Sequence, residues 1–184
     1  SIILPTIRAN RDWEMELIVV DNSQESILNQ ISRVTNRFTY VWNGGCNDFY
    51  GPALNHIANV AHHNHIVYIC SNHGTMYDTS WIRDLVEPLN DFQIGMTGSV
   101  IAMPLDVIGI NKIGNHVQGG VFGIRTETLL NCPYSREYPH LYSDVWIGWK
   151  LVELGYVLLD VPTIKSVYRY TLPSHDGYKF VHDL

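Results

Sequence analysis

The chain has 184 residues, enough for one domain that buries roughly two-thirds of its unfolded surface in a single core. Hydrophobic residues make up 46% and charged residues 16%, a globular balance rather than a disordered one. The formal charge of −6, with no basic stripe or Lys/Arg run, excludes a nucleic-acid partner but leaves room for a small anionic ligand held by a few local groups.

Along the chain, residues 2–4 form a short apolar run stopped by Pro5, and 16–21 a clearer one. The latter is β-branched and apolar on consecutive positions, as a parallel strand covered on both faces requires. Residues 24–34 turn helical, with Ile27, Leu28, Ile31 and Val34 on one stripe. Residues 38–42 read as a third strand closed by the turn signal Asn43-Gly44-Gly45. Gly51-Pro52 opens a helix whose small-residue face (Ala53, Leu54, Ile57, Ala58, Ala61) suits close packing on a sheet. A fourth strand at 66–70 is followed by a loop at 71–78 and a helix at 79–89. This alternation predicts an α/β fold with a mainly parallel central sheet flanked by helices.

The second half is less regular. Residues 117–125 are strand-like but interrupted by Gly119, Gly120 and Gly123. Residues 144–154 are helical and end on Gly155, a C-cap residue, and 156–161 and 164–170 return to strand. No repeat, low-complexity stretch or linker divides the chain, so 1–184 is expected to be one domain. Cys46, Cys70 and Cys132 contain no CxxC pair, and buried free thiols are the expectation. No apolar run reaches the ~20 residues of a membrane span, and no secretory signal is visible. The expected location is the cytoplasm, or the periphery of a membrane.

In open α/β sheets, ligands lie beyond the carboxyl ends of the strands. Pro5-Thr6, Asp21-Asn22-Ser23, Asn43-Gly44 and Ser71-Asn72-His73 fall on that rim. Asp21 can accept hydrogen bonds from a nucleobase or a ribose, or it can serve an Asx turn or helix cap. Asp144 opens a helix, where the dipole favours a carboxylate and keeps it ionised. His62, His63 and His65 read as a solvated junction.

The order of these segments resembles the GT-A family of glycosyltransferases, in particular its large inverting group. Ile18-Val19-Val20-Asp21-Asn22-Ser23 is similar to that family's strand ending in Asp-Asp-Gly-Ser. Asn43-Gly44 through Ala53-Leu54-Asn55 is similar to its Asn-x-Gly…Ala-Arg-Asn segment. Gln118-Gly119-Gly120 to Leu129 resembles its acceptor-side strand and helix, and Ser143-Asp144-Val145 with Leu154-Gly155-Tyr156 resembles its Glu-Asp-Val…Gly-Tyr segment.

The resemblance implies a single Rossmann-like GT-A domain. Its nucleotide-binding half would span about residues 1–78 and its acceptor-side half about 79–184. It implies transfer of a sugar from a nucleotide-diphosphate donor to a hydroxyl on a glycan, lipid-linked or protein acceptor, with Asp144 as general base. Pro5, Thr6, Arg8, Asp21, Asn43, Asn55 and Asn72 would bind the nucleotide. Gly119, Gly120 and Ser143 would lie against the sugars.

The family's Asp-x-Asp metal motif is replaced here by Ser71-Asn72-His73. Either His73 and His175 hold Mn or Mg beside the diphosphate, or donors such as Arg8 or His73 stabilise it directly. A non-catalytic carbohydrate-binding or scaffold domain and a sugar nucleotidyltransferase are the rival readings. The second lacks its Gly-rich loop at Pro5-Thr6-Ile7-Arg8. A dinucleotide dehydrogenase is disfavoured because no GxGxxG follows the first strand.

Overall fold

In the computed structural model, residues 14–21, 23–33, 38–44, 50–69, 73–74, 81–139, 141–164 and 167–168 are described, the pairs 73–74 and 167–168 by backbone alone. Strands β1 (Ile18–Asp21) and β2 (Thr39–Trp42) pair in parallel, joined through the one-turn helix α1 (Leu28–Ile31). The longer helix expected at 24–34 is reduced to that turn, which buries no residue. Helix α2 (Tyr50–Val60) and strand β3 (His65–Ile69) come next. Then come the two-residue strand β4 (His73–Gly74) and helix α3 (Trp81–Val86), which passes into a 3-10 turn (Glu87–Asn90). Pro88 lacks the N–H to continue α3, which shortens the helix expected over 79–89.

The central sheet differs from expectation in direction. Its order is β3-β6-β5-β7, from β5 (Ile94–Pro104), β6 (Ile113–Arg125) and β7 (Val157–Asp160). Both β3 and β5 run antiparallel to β6, and only β7 lies parallel to β5. The sheet is therefore mixed, and the mainly parallel sheet is corrected. Alternation of strands and helices sets the α/β class, but not how the later strands pair.

Helices cover both faces. On one, Leu54 and Ala58 of α2, Leu129 of α4 (Thr126–Asn131) and Ile147 and Leu151 of α5 (Ser143–Glu153) pack on Val117, Phe122, Ile124 and Met96. On the other, Trp81, Ile82 and Leu85 of α3 meet Val121, Val161 and Ile164. The alternation along β6 sends Phe122 and Ile124 to the first face and Val121 to the second, the period-2 pattern of a strand covered on both sides. Strand β8 (Val167–Tyr168) pairs with β4, His73 opposite Tyr168.

The β5–β6 ladder is interrupted midway. Gly98 of β5 pairs with Phe122, yet Val100 pairs with Val117, so residues 118–121 of β6 stand opposite Ser99 alone. The ladder breaks there, and Asp160 Oδ1 accepts the Val100 N–H at 3.0 Å on the β5 side. Helix α5 crosses β6 just before the break. A Cβ on Gly148 would come within 2.6 Å of His116 Cβ and 2.7 Å of its Cα, so only glycine allows this approach.

Gly148→Ala should therefore destabilise the fold. Overpacking against a strand costs about 1–3 kcal/mol, which outweighs the ~1 kcal/mol that alanine contributes as a better helix former. Urea denaturation reads the difference, and a gain in stability would mean that α5 has room to shift.

Candidate functional site

Two groups of side chains stand out, one at the end of β1 and one where β6 breaks. At the first, Asp21 is 4% exposed although it sits at the surface, because its own loop covers it. Oδ1 accepts the Ser23 N–H at 2.9 Å and the Ser23 hydroxyl. Oδ2 accepts the Ile27 N–H at 2.9 Å and the Tyr40 hydroxyl. Burial alone would raise this carboxyl, but the Ile27 N–H, the Ser23 and Tyr40 hydroxyls and the Ser23 N–H outweigh it. They hold the carboxyl well below the ordinary aspartate range. The carboxylate thus closes an Asx-type turn and ties down Ile27 just before α1, a local role like the one the sequence left open beside the ligand role. Trp42 closes the same loop, its indole N–H donating to Ser23 O at 3.1 Å.

Next along the rim, the Asn43 N–H donates to Asp21 O at 3.3 Å, and Gly44 takes the left-handed conformation (φ 63°) that ends the strand. Pro5, Thr6, Arg8, Asn72 and His175 lie outside the described residues. His73 falls in β4 with only its backbone described. Among the described residues, no group of three or more His, Cys, Asp or Glu side chains is arranged to hold a metal ion.

The second group forms where α5 begins. Asp144 stands in the first turn of α5, and its Oδ2 accepts the Gly119 N–H at 3.1 Å. That N–H is available because the break removes Gly119 from the β5 ladder. Oδ1 accepts the Val145 N–H at 2.9 Å, and the side chain of Asp144 keeps 28% of its surface exposed. Ser143 beside it is fully buried, and Gly120 is buried within the strand.

Gly119 has no room for a side chain. A Cβ there would lie 2.9 Å from the Tyr50 hydroxyl and 3.3 Å from Asp144 Oδ2. Tyr50 in turn stands edge-on to Tyr68 and Tyr134, and its hydroxyl lies 3.3 Å from that of Tyr134. Burial pushes both of these phenols well above their ordinary range, so they remain neutral around the carboxylate. Asn55 serves this group as a strut. Its amide donates to Tyr134 O at 3.0 Å and its carbonyl oxygen accepts the Tyr134 N–H at 2.8 Å. Helix α2 packs against both β1 and α5 and so ties the two groups to one frame.

Sequence reasoning missed two residues here. Tyr50 precedes the Gly51-Pro52 signal, and His116 lies 2% exposed in β6, with Nε2 3.9 Å from Asp144 Oδ2. Position 116 falls just short of the 117–125 stretch in which a strand was expected. His62, placed at a solvated junction, is exposed and pairs with Glu16 at 2.9 Å. Cys132 is a buried free thiol, as expected, and burial pushes it up.

No protein-family model matches the chain, and no curated protein matches it by sequence. Among solved structures, the chain is similar to the mannosyltransferase PcManGT from Pyrobaculum calidifontis, determined in complex with GDP-Man and Mn2+. The TM-score is 0.65 at 16% identity, over 96% of this chain and 56% of that one. The class defined is thus a glycosyltransferase-like α/β fold. The chain spans little more than half the length of that neighbour. No helix among the described residues is long and apolar enough to cross a membrane.

The Asp21 turn has a pH signature. Its folded value lies below its unfolded one, so its stabilisation is complete above the ordinary carboxylate range and lost as pH falls through it, from about pH 5 downward. Asp21→Asn should melt below wild type at neutral pH, with the two curves converging in acid. Parallel melting temperatures across that range would show that the charge of the turn contributes nothing to stability.

Proposed function

We propose that the chain is a catalytic unit of a nucleotide-sugar-dependent glycosyltransferase, acting with inversion, and that Asp144 is its general base. The acceptor oxygen attacks the donor's anomeric carbon as the bond from that carbon to the diphosphate breaks. The acceptor's proton passes to Asp144, and the nucleoside diphosphate leaves with the electron pair. The observation that carries this reading is the Asp144 carboxylate itself. It is pinned at Oδ2 by the Gly119 N–H and at Oδ1 by the Val145 N–H, lies beside neutral phenols and is part-exposed, within a fold shared with a mannosyltransferase.

The division of labour matches the two groups. About residues 1–78 would bind the nucleotide, through Pro5, Thr6, Arg8, Asn43, Asn72 and the loop that Asp21 shapes, with Asn55 holding the frame behind them. About residues 79–184 would receive the acceptor, against Gly119, Gly120 and Ser143. With both Asp21 oxygens already accepting two protein donors each, its own contact with a base or ribose would exchange one of them. A divalent cation, Mn or Mg, would neutralise the diphosphate, with His73 and His175 as its ligands. The β4–β8 pairing supports this, since it returns the chain that leads to His175 to the strand bearing His73.

Two measurements test the reading. Against a panel of UDP-, GDP- and dTDP-sugars, Asp144→Asn should lower transfer by about 10²–10⁴-fold with nucleotide affinity intact, because the base meets the acceptor rather than the donor. Transfer near the wild-type rate would leave Asp144 as a helix-start residue. Binding of nucleotide sugars with no turnover by wild type would make the chain a carbohydrate-binding domain instead. Separately, Mn should raise the melting temperature only when a nucleoside diphosphate is present to complete the shell. Equal donor binding in Mn and in EDTA would show that the diphosphate is held without metal.

A further inference from the structure

His116 is a buried polar residue to which the proposed mechanism gives no part. Its Nδ1 has no hydrogen-bond partner among the described residues, and its Nε2 faces Asp144 Oδ2 at 3.9 Å. That distance is too long for a hydrogen bond and short enough for a charge to be felt. The same Oδ2 accepts the Gly119 N–H, so the carboxylate is held between a fixed donor and a ring. The backbone that carries the ring is held close to α5, because the helix meets His116 Cα and Cβ at Gly148 without a side chain between them. An orphaned buried nitrogen is a cost that an apolar residue would avoid.

We infer that His116 is a positioning residue for Asp144, leaving the carboxylate free to serve the acceptor while the imidazole is neutral and drawing Oδ2 into an ion pair once the imidazole is protonated. This rests on the role proposed for Asp144. Proton uptake at His116 then switches the base off, and the acid side of the activity profile belongs to the histidine.

The surroundings leave Asp144 as the charge that governs the ring. Helix α5 also carries Lys150, which lies over the Trp149 ring, and Glu153, which pairs with Lys112. The β5 residue opposite His116 is Ile101, and Tyr50 and Tyr134 near the carboxylate are neutral. Burial lowers the imidazole below its ordinary range, and the Asp144 carboxylate pulls it back upward.

Titration of the histidine itself is the test. In side-chain NMR titrations of ¹⁵N-labelled protein, with His116→Gln identifying the resonance, the His116 midpoint should fall by about one pH unit in Asp144→Asn, since an upward pull has been removed. An unmoved midpoint overturns the proposal. His116→Gln places an amide nitrogen near the position of Nε2 but cannot take a proton. It should transfer sugar at neutral pH within a few-fold of wild type and lose the acid fall-off. An acid limb unchanged in His116→Gln also overturns the proposal. A shifted midpoint in a protein that turns over no nucleotide sugar would instead sink the glycosyltransferase reading, with the His116–Asp144 pairing intact.

Discussion

The register break between β5 and β6 is the constraint on which the candidate site depends. Had the ladder continued through residues 118–121, the Gly119 N–H would be available to a β5 carbonyl. Because it does not, that donor turns to Asp144 across the strand–helix boundary. The two glycines make the break tolerable. At 119 the reason is visible, since a methyl group would strike the Tyr50 hydroxyl and crowd the carboxylate. The flaw in the sheet and the placement of the carboxylate are thus a single feature. β-bulges and register breaks commonly re-aim groups in this way beside functional sites.

A second consequence concerns how precisely the carboxylate is held. Asp144 is reached from three elements: β6 through Gly119 and His116, α2 through Tyr50, and the 132–139 segment through Tyr134. That segment is fastened to α2 twice, by the Asn55–Tyr134 pair and by the Gly51 N–H on Pro139 O at 2.8 Å. On the proposed mechanism the carboxylate meets a reacting hydroxyl and gains from such fixed surroundings, because they are organised before the ligand arrives. The Asp21 end is built differently. Three of its four donors come from Ser23 and Ile27 in the loop after β1 and the fourth from Tyr40 in β2, so it depends on local geometry rather than on the core.

The sequence was most legible where local chemistry decides the outcome. The run Ile18–Asp21, the glycine turn after Trp42, the helix after Gly51-Pro52 and the helix start at Ser143-Asp144 result from propensity, caps and periodicity, and each falls within a residue or two of expectation. Strand β5 was not legible. Its 94–104 stretch carries Gly95, Gly98, Ser99 and Pro104, and it changes from buried to exposed along its length, so no single period runs through it. Strand direction was hidden for a related reason, since antiparallel pairing of β6 is a choice among distant partners. Asp144 was singled out through its motif. His116 has no motif, and its role arises only when α5 is laid on β6.

That crossing is also what couples His116 to Asp144. They are separated by 28 residues, on different elements, and nothing local relates them. Gly148, one helical turn beyond Asp144, removes the side chain that would hold α5 off the strand, so the first turn of the helix comes down beside the imidazole. A larger residue at 148 would lift α5 and lengthen the 3.9 Å gap, weakening the field between the two groups as distance grows. The electrostatics of the site are therefore set by steric contact at a glycine that touches neither the carboxylate nor, on the proposed mechanism, either substrate.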